Sequence, residues 1–201
     1  MSNAVILKLN ELGYATIPEE FYSKVAEWKS WYQGNVKGFH SYRVRNGESM
    51  VNCKRYSLGM GKKLCEDWAN LLMNEKVQIT LEGQREQEFI DRVLTENNFS
   101  VKANEMQEMK SALGTVAYIP RVIGQEISES GDIVPGNASG IMLDYVTIEN
   151  IYPLAWSNGY ISECAFSSVV TRGGHDYLYL QIHHKEDSGE YVIENRIYRY
   201  D

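Results

Sequence analysis

The 201-residue sequence predicts an α+β fold, with helices in the N-terminal half packed on a largely antiparallel β-meander in the C-terminal half. Two observations carry this. Up to about residue 113 the apolar residues recur mainly at three- and four-residue steps, whereas beyond residue 141 they alternate with polar ones. Helices first and strands later imply separate α and β regions, not repeating βαβ units. At this length one region spanning 1–201 is expected, with a possible subdivision into a helical part, 1–127, and a β-meander, 141–201.

The elements follow in chain order, none being assigned before Pro18. Proline lacks an N–H and has a fixed φ, both suited to a first helical turn, so Pro18 opens a helix. Its apolar stripe is Phe21, Val25, Trp28 and Tyr32, with Trp31 beside it, and Gly34 closes it. Helical spacing favours core burial of Trp28 and Trp31 over the alternative of an exposed aromatic anchor for a partner. Residues 38–53 read as a hairpin turning at Asn46-Gly47, with His40, Tyr42 and Val44 alternating on its first strand. The next helix, within 55–74, has Leu58, Gly61, Leu64, Cys65, Trp68, Leu71 and Leu72 on one face. It is expected to be central to the core, with Trp68 as its largest anchor. Val77, Ile79 and Leu81 then alternate as a half-buried strand would.

Gly83 leads into a helix carrying Phe89, Ile90, Val93 and Leu94, ended by Asn97-Asn98. Asn104 and Gln107 have the spacing of a capping box and open a short helix to Leu113. Gly114 breaks it, and 115–119 reads as a buried strand. Residues 128–140 are rich in Ser, Gly, Asp, Pro and Asn and read as a polar loop. Strands are expected at 141–148, 162–171, 177–183 and 191–200, with turns at Asn158-Gly159, Arg172-Gly173-Gly174 and Asp187-Ser188-Gly189. Asp201 follows a strand directly, which suggests a cut inside a longer protein.

Composition narrows the function classes. A net charge of -7 argues against a sequence-independent grip on DNA, which needs clustered Lys and Arg to displace phosphate counterions. Ten scattered tyrosines in and around the strands, Tyr177 and Tyr179 among them, fit cross-strand aromatic pairs better than stacking platforms for bases. No apolar run is long enough to span a membrane, and no signal peptide is expected. Cys53, Cys65 and Cys164 are odd in number, far apart and without a CxxC pair, which reads as free thiols.

No catalytic, cofactor-binding or metal-binding residues are assigned. His183 and His184 are adjacent on a strand, so their imidazoles point to opposite faces and cannot share one ion. His175 and Asp176 fall in an expected turn. Cys65 and Cys164 lie on apolar stripes, where a thiol acts as a small hydrophobe with a raised pKa, and neither has a His nearby in sequence. Gly59-Met60-Gly61-Lys62 lacks the strand and the full motif of a phosphate-cradling loop.

The wording of several segments adds a resemblance. Residues 55–77 carry R-x-S-L-x-M-x-K-x-x-C-E-D-W-A-N-L-L-x-N-E-K-V, and W-x-x-W-Y-x-G starts at Trp28, with Tyr42 beyond it. N-N-F … N … L-G-T-V-A covers 97–117, Y-P-L-x-W-x-N-G-x-I-x-E-C-A-F covers 152–166, and Y-L … H … Y-x-I-x-N-x-x-Y covers 177–198. In this order the blocks resemble the portal proteins of tailed phages and prophages of Gram-positive bacteria. That resemblance implies a structural virion protein with no cofactor, not an enzyme, whose subunits form a ring, usually of twelve, at a capsid vertex. The ring is the channel for DNA packaging and ejection. Its implied partners are other portal subunits, capsid, scaffold, terminase and head–tail adaptor proteins, met first in the host bacterial cytoplasm and then in the virion. The N-terminal half of the family builds mainly the outer wing, so duplex DNA passing through the full ring is not expected to bind this chain, and no membrane is involved. Two other classes stay open: another phage minor capsid protein, and a small cytoplasmic Cys-dependent hydrolase.

Overall fold

The computed structural model describes residues 2–73, 77–128, 130, 133–186 and 188–200. It is α+β, with the five α-helices of the described residues in the first 113 positions and its longest strands after them. The chain divides into two compact units: residues 1–59 together with 147–201, and residues 60–146.

In the first unit, helices α1 (Ser2–Glu11) and α2 (Glu19–Tyr32) pack on a four-stranded antiparallel sheet. Its strands β5 (Ile151–Ser157), β6 (Tyr160–Arg172), β7 (His175–Lys185) and β8 (Tyr191–Tyr200) lie in sequential order. Alternation sends Leu178, Leu180 and Ile182 of β7 to the helical side, where they meet Val5, Ile6 and Leu9 of α1 and Tyr22 of α2. Tyr152 of β5 stacks on Tyr22 at 5.0 Å between ring centres, and the Tyr22 hydroxyl donates to the Ile151 carbonyl at 2.9 Å. A hairpin of β1 (Ser41–Asn46) and β2 (Ser49–Lys54) completes this unit, and its residues are largely exposed.

The second unit holds helices α3 (Met60–Leu72), α4 (Gln84–Glu96) and α5 (Phe99–Leu113), with the paired strands β3 (Val116–Ile127) and β4 (Ile133–Thr147). Asn97 holds the end of α4 to β4. Its side-chain amide donates to the Val93 and Ile141 carbonyls at 2.8 Å each, and its oxygen accepts the Leu143 N–H at 2.8 Å.

Several expected elements differ. Helix α1 and strand β5 are present where none was assigned, β5 because Pro153 breaks the look of a strand while sitting at a sheet edge, where its missing N–H is tolerated. Helix α5 begins at Phe99, so Asn104 is not a cap; mid-helix, it donates its amide to the Asn70 side chain at 3.0 Å. Residues 77–81 belong to no strand; the Gln87 side chain takes the place of a partner by accepting the Leu81 N–H at 2.7 Å and donating to the Ile79 carbonyl at 3.0 Å. The expected polar loop at 128–140 is shorter, because β4 starts at Ile133; residues 129, 131 and 132 lie outside the described residues. β3 is longer than expected and mostly exposed, with Ile119 its buried residue. The strand expected at 141–148 belongs to the β3–β4 pair, so the meander begins at β5. The turn expected at 172–174 closes on Gly173 and Gly174, whose φ angles of +61° and +78° suit glycine, and β7 therefore opens at His175.

Candidate functional site

The side chains with reactive potential come first. Register sets His183 directly opposite Cys164, a neighbour that sequence distance concealed. His183 Nδ1 lies 2.5 Å from the Tyr191 hydroxyl, and its Nε2 is buried with no hydrogen-bond partner. Burial holds the His183 imidazole below its ordinary value and pushes the Cys164 thiol up to about 11. Cys65 is also raised, by burial and then by Glu108. His184 lies on the opposite sheet face, edge-on to Tyr14 and 3.3 Å from Glu194. Among the described residues no three His, Cys, Asp or Glu side chains converge as metal ligands would. His175 and Asp176 open β7 and do not sit in the turn; Asp176 accepts from Thr171 at 2.6 Å. Lys62 lies 3.6 Å from Glu66 one helical turn on, an ion pair on the helix and not a phosphate cradle.

A thiol pKa near 11 leaves little thiolate at neutral pH. Iodoacetamide labelling of native Cys164 is therefore expected to be slow at pH 7 and to accelerate steeply toward pH 11. Fast labelling at pH 7 would mean the thiolate is stabilised by a group the fold does not place there.

The stronger candidate is a surface. Helix α3 carries the apolar arc expected of a core helix, yet most of it is bare. Leu64 is 70 % exposed, Leu71 68 % and Trp68 55 %, and Met60 and Leu72 are exposed beside them. The expectation that Trp68 anchors the core is thus overturned. The reason is which edge of the arc is covered. Ala69 is fully buried and Cys65 half-buried, and Asn70 bonds to Asn104 of α5, so α5 covers only that edge. The ion pairs Lys62–Glu66 and Lys63–Asp67 fix the polar side of the helix. Truncating an exposed side chain leaves no cavity. Trp68→Ala is expected to cost less than about 1 kcal/mol in a urea melt; a loss of several would show that Trp68 is covered in solution.

Trp28 and Trp31 likewise sit outside the core, at 40 % and 47 % exposure. The face of α2 that meets the sheet runs through Tyr22 and Val25. Trp28 is turned from it to meet Phe21 edge-on at 6.2 Å, and Trp31 lies against Phe39 at 5.1 Å. A cleft of about 580 Å³ in the second unit, lined by Ile79, Gln87, Leu94 and Phe99 among others, brings no charged cluster together. No helix among the described residues is long and apolar enough to cross a membrane.

An α+β chain with free thiols and bare apolar helix faces matches the reading of a subunit that works through its surfaces. The family described as "Phage portal protein, SPP1 Gp6-like" matches residues 14–181. The chain belongs to that family. It is a structural protein of the portal class, and the resemblance carried by the segments from Trp28 onward is confirmed over most of their length. No curated protein and no solved structure matches it.

Proposed function

We propose that this portal-family chain forms the outer wing of a subunit that closes into a ring at a capsid vertex, through which DNA is packaged and ejected. The observation that supports it is the family match over residues 14–181. The bare arc of α3, a surface that a neighbouring protein would cover, is consistent with it. In this reading other portal subunits, capsid, scaffold, terminase and head–tail adaptor are the partners, and the protein resides in the virion after assembly in the host cytoplasm. The wing carries no chemistry of its own; the raised Cys65 and Cys164 thiols argue against the hydrolase alternative. The net charge of -7 favours a wall that does not hold duplex DNA.

Electron microscopy of the product of the whole gene is expected to show closed rings. A DNA titration of the 201-residue chain at low salt should give binding no tighter than that of a neutral control protein. A gene product that stays monomeric at high concentration would count against the ring. Micromolar DNA affinity of the chain itself would place it on the channel.

A further inference from the structure

The hairpin of β1 and β2 has two unlike faces, and both are open. Residues directly opposed in its register share a face, so Tyr42, Val44, Val51 and Cys53 lie together on one side. Arg43, Arg45 and Lys54 lie on the other. Val44 and Val51 are 45 % and 42 % exposed, so the chain leaves the apolar side largely uncovered. A two-stranded ribbon is marginally stable in water by itself and gains from a further layer against that side.

Charge indicates what supplies the layer. Residues 37–55 hold Lys37, Arg43, Arg45, Lys54 and Arg55 against the one acid Glu48, a net +4 that leaves -11 for the rest of a chain whose total is -7. Among the described residues none of these five cations is in an ion pair, whereas elsewhere Lys29 meets Glu149 and Arg121 meets Asp144. Arg55 instead lies over the Phe39 and Tyr42 rings, at 4.9 and 4.5 Å from their centres. A cationic hairpin on an acidic body is attracted to a second copy of that body. Duplex DNA would satisfy the cations, but it has no use for the aliphatic face behind them.

Helix α3 offers the matching surface. Its arc of Leu64, Trp68 and Leu71 is bare. Its 13 residues span about 20 Å, and so do the 6 residues of an extended strand such as β1. A ribbon laid along the helix gives each bare face the second layer that its own chain leaves out. Donor and acceptor are different surfaces, so the contact is head-to-tail and repeats around a ring.

We propose that the β1–β2 hairpin of one copy docks through Tyr42, Val44 and Val51 on the α3 arc of a neighbouring copy, its cations steering the approach to the acidic body. This contact deepens the ring reading and rests on it.

Sedimentation velocity of the 201-residue chain is expected to show association that rises with concentration, proceeds past the dimer and weakens as salt screens the steering charges. Val44→Asp leaves a chain that receives but does not donate, and Leu64→Asp one that donates but does not receive. Each alone is expected to associate at least about tenfold more weakly than the parent, because docking would bury an unpaired carboxylate. Mixed, the two should form a heterodimer that stops at two chains. Arg43→Glu with Arg45→Glu should weaken association of the parent at low salt far more than at high salt. Ile127→Asp, on β3 and 78 % exposed, is the control expected to leave association unchanged. Circular dichroism would verify that each variant is folded. A parent chain that stays monomeric, single variants that fail to complement, or a mixture that grows beyond two chains would each overturn the contact. Micromolar binding of duplex DNA that is lost on Arg43→Glu would overturn it too, by assigning the hairpin to nucleic acid. Closed rings from a whole gene product carrying Leu64→Asp would overturn this contact and leave the ring standing. Complementation by the two variants, with no rings from the unaltered gene product, would uphold the contact and overturn the ring.

Discussion

Tyr152→Ala is expected to remove a large part of the stability of the first unit. Tyr152 is only 1 % exposed and belongs to the cluster formed by Tyr22, Ala165, Leu178, Leu180 and Ile182. Truncation deletes a ring that stacks on Tyr22 and leaves a cavity that a sheet on one side and a helix on the other cannot collapse to fill. The expected cost is about 3–5 kcal/mol, the range for losing a buried large aromatic. That is a large part of the roughly 5–15 kcal/mol that holds a typical domain folded. Tyr22→Ala should cost a similar amount, and the two losses should not add, because each removes the same stacked pair. Urea melts of the parent, both single variants and the double variant would measure this. A Tyr152→Ala loss near that of Trp68→Ala would mean that the sheet and α2 are not packed as described.

The contrast between Tyr152 and Trp68 shows what a sequence can and cannot disclose. Helical periodicity reports that a helix has an apolar face; it does not report whether the chain supplies a cover for that face. α3 and α2 both carry clear stripes, and in each the covered face is only partly the stripe that spacing picks out. β6, β7 and β8 were legible because alternation, glycine-bearing turns and short connections are all local signals. β5 was not, since Pro153 is disfavoured everywhere in a sheet except at an edge, and edge position is a property of the whole topology. The long β3–β4 pair was obscured by Ser, Gly and Pro in β4, residues that ordinarily punctuate loops. The candidate site divides in the same way. That His183 and His184 lie on opposite faces follows from strand geometry alone, whereas the meeting of His183 with Cys164 depends on the register of β6 against β7. The family resemblance needed no geometry, because it is carried by residue identities in order along the chain.

The first helix offers the second large effect. In α1, Val5, Ile6 and Leu9, with Leu12 just beyond its end, fall at the steps of one helical face. In the structure Val5 and Leu9 are fully buried and Ile6 nearly so, and Leu12 packs against the same cluster. Leu9→Ala is expected to cost about 2–5 kcal/mol by transfer and cavity effects together. Leu9→Asp should do more, because a carboxylate placed in the cluster with Val5, Tyr152 and Leu180 loses its hydration and must be protonated or solvated by opening the core. Its first unit is expected to lose its cooperative melt at neutral pH and to recover part of it as the pH falls and the carboxylate takes up a proton. The sign follows from burial: the folded state would bind that proton at higher pH than the unfolded chain, so stability rises on acidification through that range. Leu7, two residues away and 56 % exposed, provides the control. Leu7→Asp should change stability by no more than about 0.5 kcal/mol, as surface substitutions usually do. Equal effects at the two positions would show that α1 does not pack through the face described, and the core of the first unit would then have to be closed by other residues.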